Sequence, residues 1–185
     1  MNDGAGVRIP VTASVGTTVW APFHVDLVGS DLRMTGQPED VPPMARVLIP
    51  DVEQHGYRAY PLVDHVADKI SATLELYGDR KMPSTRYKDL VDLVAIVTEA
   101  SVPAEGQLIA LASEADRRGI TLPARFDVPD RELWDRGYAA EAGRSLLLTA
   151  RTLDEALAVV RPFIDPLLAG TAVGTWDPAH RHWTG

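Results

Sequence analysis

The spacing of hydrophobic and polar positions changes near residue 60, and this change separates a strand-rich first part of the chain from a helical second part. Residues 7–15 and 19–28 alternate between apolar and polar side chains, with a turn-like segment between them. The alternation predicts two strands joined by a turn. Shorter strand candidates follow at residues 46–49 and 57–60.

Beyond residue 60, apolar residues recur at the spacing of an α-helix. The first two predicted helices span residues 62–77 and 84–100, and Ser84 has a side chain suited to an N-cap. Three further helices are bounded by local signals: Pro103 and Gly119 for the third, Asp130 and Arg144 for the fourth, and a capping box of Thr152 with Glu155 for the fifth, which Pro162 and Pro166 disturb. We expect a loop over residues 170–185.

These elements predict an α+β fold in which a partial sheet leads into a C-terminal helical bundle. Residues 1–60 form the β-rich portion in this interpretation, and residues 61–185 form a helical domain. The length of 185 residues is enough for one full hydrophobic core.

Charged residues interrupt the apolar faces of the first two predicted helices. Lys69 lies at the edge of the apolar stripe of its helix, and Asp89 projects between Leu93 and Ile96, where an ionised carboxylate needs a partner. Asp92 points about 60° away from Asp89 and is expected to be more solvated. A structural ion pair between Lys69 and Asp89 and a functional site both explain this pattern, and the two interpretations are compatible.

Composition narrows the classes of function. The formal net charge is −8, so contact with nucleic acid has to come from a local basic patch, and the densest one is Arg80, Lys81, Arg86 and Lys88. The absence of cysteine excludes disulfides, thiolate metal sites and a cysteine nucleophile. No apolar run approaches the roughly 18 residues of a membrane helix and no signal segment follows Met1, which together favour a cytoplasmic protein.

Three weaker motifs have simple competing interpretations. Asp26 lies on an otherwise apolar strand and is a metal-ligand candidate if other carboxylates converge on it, whereas a solvent-facing position is the alternative. The segment 29–31, Gly-Ser-Asp, resembles a phosphate-binding turn but is more simply a plain turn. His180 and His182 lack a third ligand at suitable spacing, so we expect an exposed tail.

Two longer motifs resemble those of a known family. Residues 60–72 have the pattern Y-P-L-x-D-x-x-A-D-K-x-x-A, and residues 86–93 have the pattern R-x-K-D-L-x-D-L. Together they resemble the AbiEii-type nucleotidyltransferase toxins, the toxin half of abortive-infection and type IV toxin–antitoxin systems. The upstream strand 23–28, Phe-His-Val-Asp-Leu-Val, is similar to the family strand that supplies a late carboxylate.

The resemblance implies a polymerase-β-like nucleotidyltransferase core with a helical C-terminal part. It also implies transfer of a nucleotide from a nucleoside triphosphate with Mg²⁺, an RNA acceptor that in some members is transfer RNA, and a cognate antitoxin as partner. By position, it assigns catalysis to Lys69, Asp89 and Asp92, nucleotide binding to Lys69, Arg86 and Lys88, RNA binding to Arg80 and Lys81, and metal binding to Asp26.

One departure from the family pattern leaves several functions open. Family members carry a Gly-Ser turn and a strand with a metal-binding D-x-D pair, and no such pair precedes Asp26. We therefore expect this chain to be the C-terminal portion of a nucleotidyltransferase toxin, incomplete by itself. The alternatives are a catalytically inactive relative that binds antitoxin or RNA, and an unrelated helical scaffold with a structural Lys69–Asp89 pair.

Overall fold

The computed structural model describes residues 6–27, 34–43, 53, 55–145 and 148–185. The chain divides into two compact units, residues 1–33 and residues 34–185. Within the described residues there are five α-helices and four antiparallel pairs of strands, so the predicted α+β class is confirmed. The predicted division of the chain after residue 60 stays a prediction.

The first unit contains a two-stranded antiparallel hairpin. Strand β1 (Val7–Val15) pairs with β2 (Thr18–Leu27), which confirms the two strands predicted from alternation. Gly16 closes the turn with a φ of +60°, a conformation that glycine adopts without steric cost. The predicted turn at residues 29–31 and the strand candidate at 46–49 lie outside the described residues.

In the second unit, a short strand pair precedes the helices. Strand β3 (Glu39–Val41) pairs with β4 (Tyr57–Ala59), and β4 confirms the strand predicted near residues 57–60. Four further strands form two small hairpins: β5 (Leu76–Tyr77) with β6 (Met82–Pro83), and β7 (Thr175–Asp177) with β8 (His182–Thr184).

The helices are α1 (Leu62–Leu74), α2 (Tyr87–Glu99), α3 (Ala104–Arg118), α4 (Arg131–Arg144) and α5 (Leu153–Leu168). Their local signals behave as predicted at three ends. Gly119 ends α3 in the left-handed conformation, Asp130 accepts a hydrogen bond from the Leu133 amide at 3.0 Å, and Thr152 and Glu155 form the capping box of α5. Helix α5 continues through Pro162 and Pro166.

Two predicted helix boundaries and one predicted loop were wrong. The first helix ends at Leu74 rather than at 77, because residues 76 and 77 pair with β6 instead of adding a helical turn. The second begins at Tyr87 rather than at 84, since the Ser84 hydroxyl accepts from the Arg86 amide at 3.2 Å and so closes a turn instead of capping the helix. Residues 170–185 contain the β7–β8 hairpin rather than only loop.

Helix α2 lies at the centre of the helical unit. Its residues Leu90, Leu93 and Val97 are completely buried, and it packs against α1, α4 and α5. The C-terminal hairpin covers the far end of α2, because the Trp176 indole donates to the Val97 carbonyl at 2.8 Å. Its second tryptophan, Trp183, stacks on Phe163 of α5. No helix in the described chain has the length and apolar character required to span a bilayer.

A glycine of α4 makes room for the first residue of α2. The Tyr87 ring packs edge-on against the buried Trp134 at a centroid distance of 5.1 Å and lies directly over Gly137. A Cβ atom on Gly137 would meet the Tyr87 ring at 2.3 Å, a distance that forces the ring to move. This contact therefore holds the first turn of α2 against α4.

We predict that Gly137→Ala destabilises the protein by about 1–3 kcal/mol through this overlap, although alanine favours helices. Gly143 of the same helix provides the matched control, because a Cβ there meets nothing within 4 Å. Gly143→Ala should gain up to about 1 kcal/mol. Urea unfolding of both variants tests the contact, and equal effects of the two substitutions would contradict it.

Candidate functional site

The structure brings Lys69 of α1 together with both aspartates of α2. The Lys69 Nζ atom lies 3.2 Å from Asp89 Oδ1 and 2.6 Å from Asp92 Oδ2. Lys69 and Asp89 are only 5% and 6% exposed, and the Asp92 side chain is 30% exposed. The expected buried pair is therefore present, and Asp92 is more solvated, as the helical angles predicted. The lysine nevertheless lies closer to Asp92 than to Asp89.

Two more cations complete this group of charges, which we call the Lys69 cluster: Lys69, Arg86, Lys88, Asp89 and Asp92. Arg86 Nε donates to Asp89 Oδ2 at 2.6 Å, and Lys88 Nζ donates to Asp92 Oδ2 at 3.3 Å. Three cations and two carboxylates leave a net formal charge of +1. Arg86 and Lys88 are largely exposed, so the cluster reaches from the core to the surface.

The local fold explains why these side chains meet. Asp89 lies in the first turn of α2, where the free amide groups and the helix dipole stabilise a negative charge. Asp92 follows it by one helical turn on the side that faces α1. Lys69 lies in the buried part of α1, and its ammonium group has no charged partner in the described chain other than these two carboxylates. The apolar packing of α1 on α2 therefore encloses a charge pair that neither helix could bury alone.

Hydrogen bonds in the cluster shift two pKa values. Burial opposes the ionisation of Asp92, but the hydrogen bond from Lys69 and the charges of Lys69 and Lys88 outweigh it and lower the Asp92 pKa. The hydrogen bond to Asp89 raises the pKa of Arg86. Asp92 is therefore ionised, and Arg86 is protonated, throughout the neutral pH range.

The sequence assigned no role to His65 and Asp64, two further residues of the 60–72 motif. His65 is exposed one turn before Lys69, and its partial burial together with the Lys69 charge lowers its pKa, so it is neutral at pH 7. Asp64 is buried and accepts hydrogen bonds from the Thr35 amide, the Thr35 hydroxyl and the Gly36 amide. The sequence did contain a signal for this role, because Asp64 is an acidic residue among apolar neighbours in the first turn of a helix.

Asp26 belongs to the first unit and has a different partner. Its two carboxylate oxygens accept from Arg8 Nε at 2.7 Å and from Arg8 Nη2 at 2.8 Å, and this side-chain hydrogen bonding lowers the Asp26 pKa. The side chain is exposed on the hairpin. Its assignment as a metal ligand stays a prediction.

The predicted RNA contacts Arg80 and Lys81 lie in the turn between β5 and β6, the hairpin that joins α1 to α2. Both are exposed, and neither side chain has an ion pair or hydrogen bond within the described part of the chain. They are separate from the ion pairs of the Lys69 cluster. Within the predicted basic patch, Arg86 and Lys88 therefore form ion pairs with aspartates, whereas Arg80 and Lys81 form none among the described residues.

This arrangement suits a polyanion better than a bare metal ion. The Lys69 ammonium has three N–H donors, and two of them are directed to Asp89 and Asp92. Each carboxylate already accepts from two cations, and the described residues contain no group of three or more histidine or acidic side chains that could hold a metal ion. A ligand with several phosphate oxygens would complement the positive charge.

Comparison with known proteins agrees with the resemblance carried by the two motifs. The family model described as nucleotidyl transferase AbiEii toxin, type IV toxin–antitoxin system, matches residues 2–159. This range includes both motifs and the whole Lys69 cluster. No curated protein matches the sequence.

We predict that Lys69→Met alone destabilises the protein by about 3 kcal/mol, because it leaves Asp89 buried with only Arg86 as a cationic partner. The double variant Lys69→Met with Asp89→Leu should regain most of the lost stability, since a buried ion pair can be replaced by apolar side chains of similar volume. Urea unfolding of the two variants provides the measurement. A single variant as stable as the wild type would contradict the buried pair.

Proposed function

Since the chain belongs to the family of AbiEii nucleotidyl transferase toxins of type IV toxin–antitoxin systems, we propose that it transfers a nucleotide from a nucleoside triphosphate to an RNA. Transfer RNA is the acceptor we propose. The family also implies an antitoxin as the partner of this toxin. A toxin that acts on RNA would work in the cytoplasm, which stays our expectation for this protein.

The Lys69 cluster supports this proposal most directly. It combines a buried lysine with two exposed cations around a pair of carboxylates, and its net formal charge is positive. In the proposal, the third N–H of Lys69 donates to a triphosphate oxygen, while Arg86 and Lys88 bind the outer phosphates from the exposed side. Asp89 and Asp92 orient the Lys69 ammonium through their two hydrogen bonds to it.

The two carboxylates would also take part in the transfer. The acceptor hydroxyl oxygen forms a bond to the α-phosphorus, the bond from that phosphorus to the pyrophosphate oxygen breaks, and the hydroxyl proton passes to a carboxylate. Asp92 Oδ1 is one candidate proton acceptor, because it accepts no hydrogen bond within the described chain. Asp89 Oδ2 is the other, and it becomes free when the Arg86 side chain moves from Asp89 to the leaving pyrophosphate. Arg86 is exposed enough to make this movement.

Magnesium enters the proposal with the triphosphate, as part of the substrate. Asp89 and Asp92 each accept hydrogen bonds from two cations, so no step of the proposed transfer relies on a metal ion held by these two carboxylates. The assignment of Asp26 as a metal ligand is a separate proposal, and binding of a metal ion there would replace its two hydrogen bonds from Arg8.

A second candidate function is a catalytically inactive relative that binds antitoxin or RNA. The ion pairs of the cluster favour it, because both oxygens of Asp89 are already bound by Lys69 and Arg86. A cluster of this kind stabilises the contact between α1 and α2 without any substrate. The two candidates differ in whether the chain transfers a label.

In this proposal Asp89 and Asp92 take over the catalysis that the family pattern gives to a D-x-D pair, in contrast to the expectation of an incomplete chain. We therefore predict that the purified chain, incubated with transfer RNA, magnesium and each labelled nucleoside triphosphate, transfers label from at least one of them. Asp89→Asn and Lys69→Ala should each reduce the rate by about 100-fold or more, since each removes a group proposed to contact the reacting phosphates or the hydroxyl.

Glu99→Gln is the matched control, because Glu99 is an exposed carboxylate at the other end of α2 and has no ion pair within the described chain. Its transfer rate should equal that of the wild type. Absence of transfer with every triphosphate would reject the first candidate in favour of the second, as would transfer that survives both cluster variants.

A further inference from the structure

The small hairpin between α1 and α2 presents an apolar surface to solvent. Tyr77 of β5 pairs across the strands with Met82 of β6, so the two side chains lie on the same face. They are 38% and 57% exposed, and Leu76 is also exposed. Exposed aromatic and thioether side chains on a two-residue strand pair contribute little to the core. Their apolar surface is instead open to solvent on one face of the hairpin.

Unpaired positive charge lies in the turn of the same hairpin. The Arg80 and Lys81 side chains have no ion pair or hydrogen bond among the described residues, whereas nearly every other described lysine and arginine contacts a carboxylate or a carbonyl. The whole chain has a formal charge of −8. Arg80 and Lys81 are therefore a local site of uncompensated positive charge on an acidic protein, and this charge is available to a polyanion.

The hairpin lies at the end of the helix pair that carries the Lys69 cluster. It joins the C-terminus of α1 to the N-terminus of α2, and Arg86 and Asp89 belong to the start of α2. Burial and Glu75 raise the pKa of Tyr77, while the charges of Arg118 and Arg86 partly oppose them.

We propose that this hairpin binds the unpaired end of the RNA acceptor, with a base stacked on Tyr77 and Met82 and the adjoining phosphates on Arg80 and Lys81. Single-stranded RNA exposes its bases for stacking on aromatic side chains, and duplex RNA does not. A patch of two free cations is also too small to follow the backbone of a duplex on a protein of this net charge. The inference rests on the proposed function for the identity of the bound RNA as the acceptor.

A second hairpin of the chain supplies a close control. Arg181 lies in the turn between β7 and β8, and like Lys81 it is exposed, has a positive φ and has no side-chain partner within the described chain. That hairpin contacts Val97 near the C-terminus of α2, so it lies at the opposite end of a helix about 20 Å long. Removing the Arg181 charge changes the net charge in the same way as removing Lys81.

The test is binding of a fluorescently labelled single-stranded RNA to the full chain, followed by anisotropy at several salt concentrations, with the same RNA in a duplex for comparison. We expect Tyr77→Ala to weaken single-strand binding by about tenfold, because stacking on one aromatic ring accounts for that order of affinity. Tyr77→Phe should bind like the wild type. Arg80→Ala with Lys81→Ala should lower the magnitude of the salt-dependence slope by about 1–1.5 and Lys81→Ala alone by about half of that, whereas Arg181→Ala, which removes the same charge as Lys81→Ala, should not change it.

Several results would overturn the proposal. They are the absence of single-strand binding by the wild type, unchanged binding by Tyr77→Ala in a variant with wild-type melting temperature, an equal loss in Arg181→Ala, and tighter binding of the duplex with the same variant pattern. The last result would assign the hairpin to duplex RNA.

The same samples separate this inference from the proposed function. Asp89→Asn should retain single-strand binding, because Asp89 does not belong to the hairpin surface. Binding that depends on the hairpin in a protein without transferase activity would support the inference and reject the proposed transfer. Transfer with an unchanged KM for RNA in Tyr77→Ala would support the proposed transfer and reject the inference.

Discussion

The structure of the helical unit depends on one shared charge, the Lys69 ammonium between Asp89 and Asp92. Lys69 and Asp89 are almost completely buried, so removal of either charge alone is destabilising, although Asp92 and Arg86 remain as second partners. Their contact holds α1 and α2 in one relative position, since a shift of either helix would leave a charge in the core without a partner. The contact between α1 and α2 thereby brings the three cations and two carboxylates of the Lys69 cluster together.

Contacts at both ends of α2 fix the position of the helix that carries Asp89 and Asp92. At its N-terminus, Tyr87 packs over Gly137 of α4 and fixes the turn that carries Asp89. At its C-terminus, the Trp176 indole binds the Val97 carbonyl. A central helix that is fixed at both ends gives the cluster the rigid support that binding of a polyphosphate needs. The β5–β6 hairpin is different, because it has exposed apolar side chains and free cations and contributes little to the core.

Local signals predicted much of this fold, and long-range contacts account for the errors. The ends of α3, α4 and α5 follow from Gly119, Asp130 and the Thr152 capping box, since a cap requires only neighbouring residues. The C-terminal hairpin was missed because its tryptophans pack on α5 and α2, far away in sequence. Helical angles indicated that Lys69 and Asp89 were buried, but they did not show that the long lysine side chain also reaches Asp92.

The central claim is that the Lys69 cluster is a site for a triphosphate and not only a structural ion pair. The direct measurement is calorimetric titration of a non-hydrolysable nucleoside triphosphate into the wild type and into the folded double variant Lys69→Met with Asp89→Leu. We predict saturable binding to the wild type and none to the double variant, at matched stability. Equal binding by the two proteins, or no binding by the wild type, would contradict the claim.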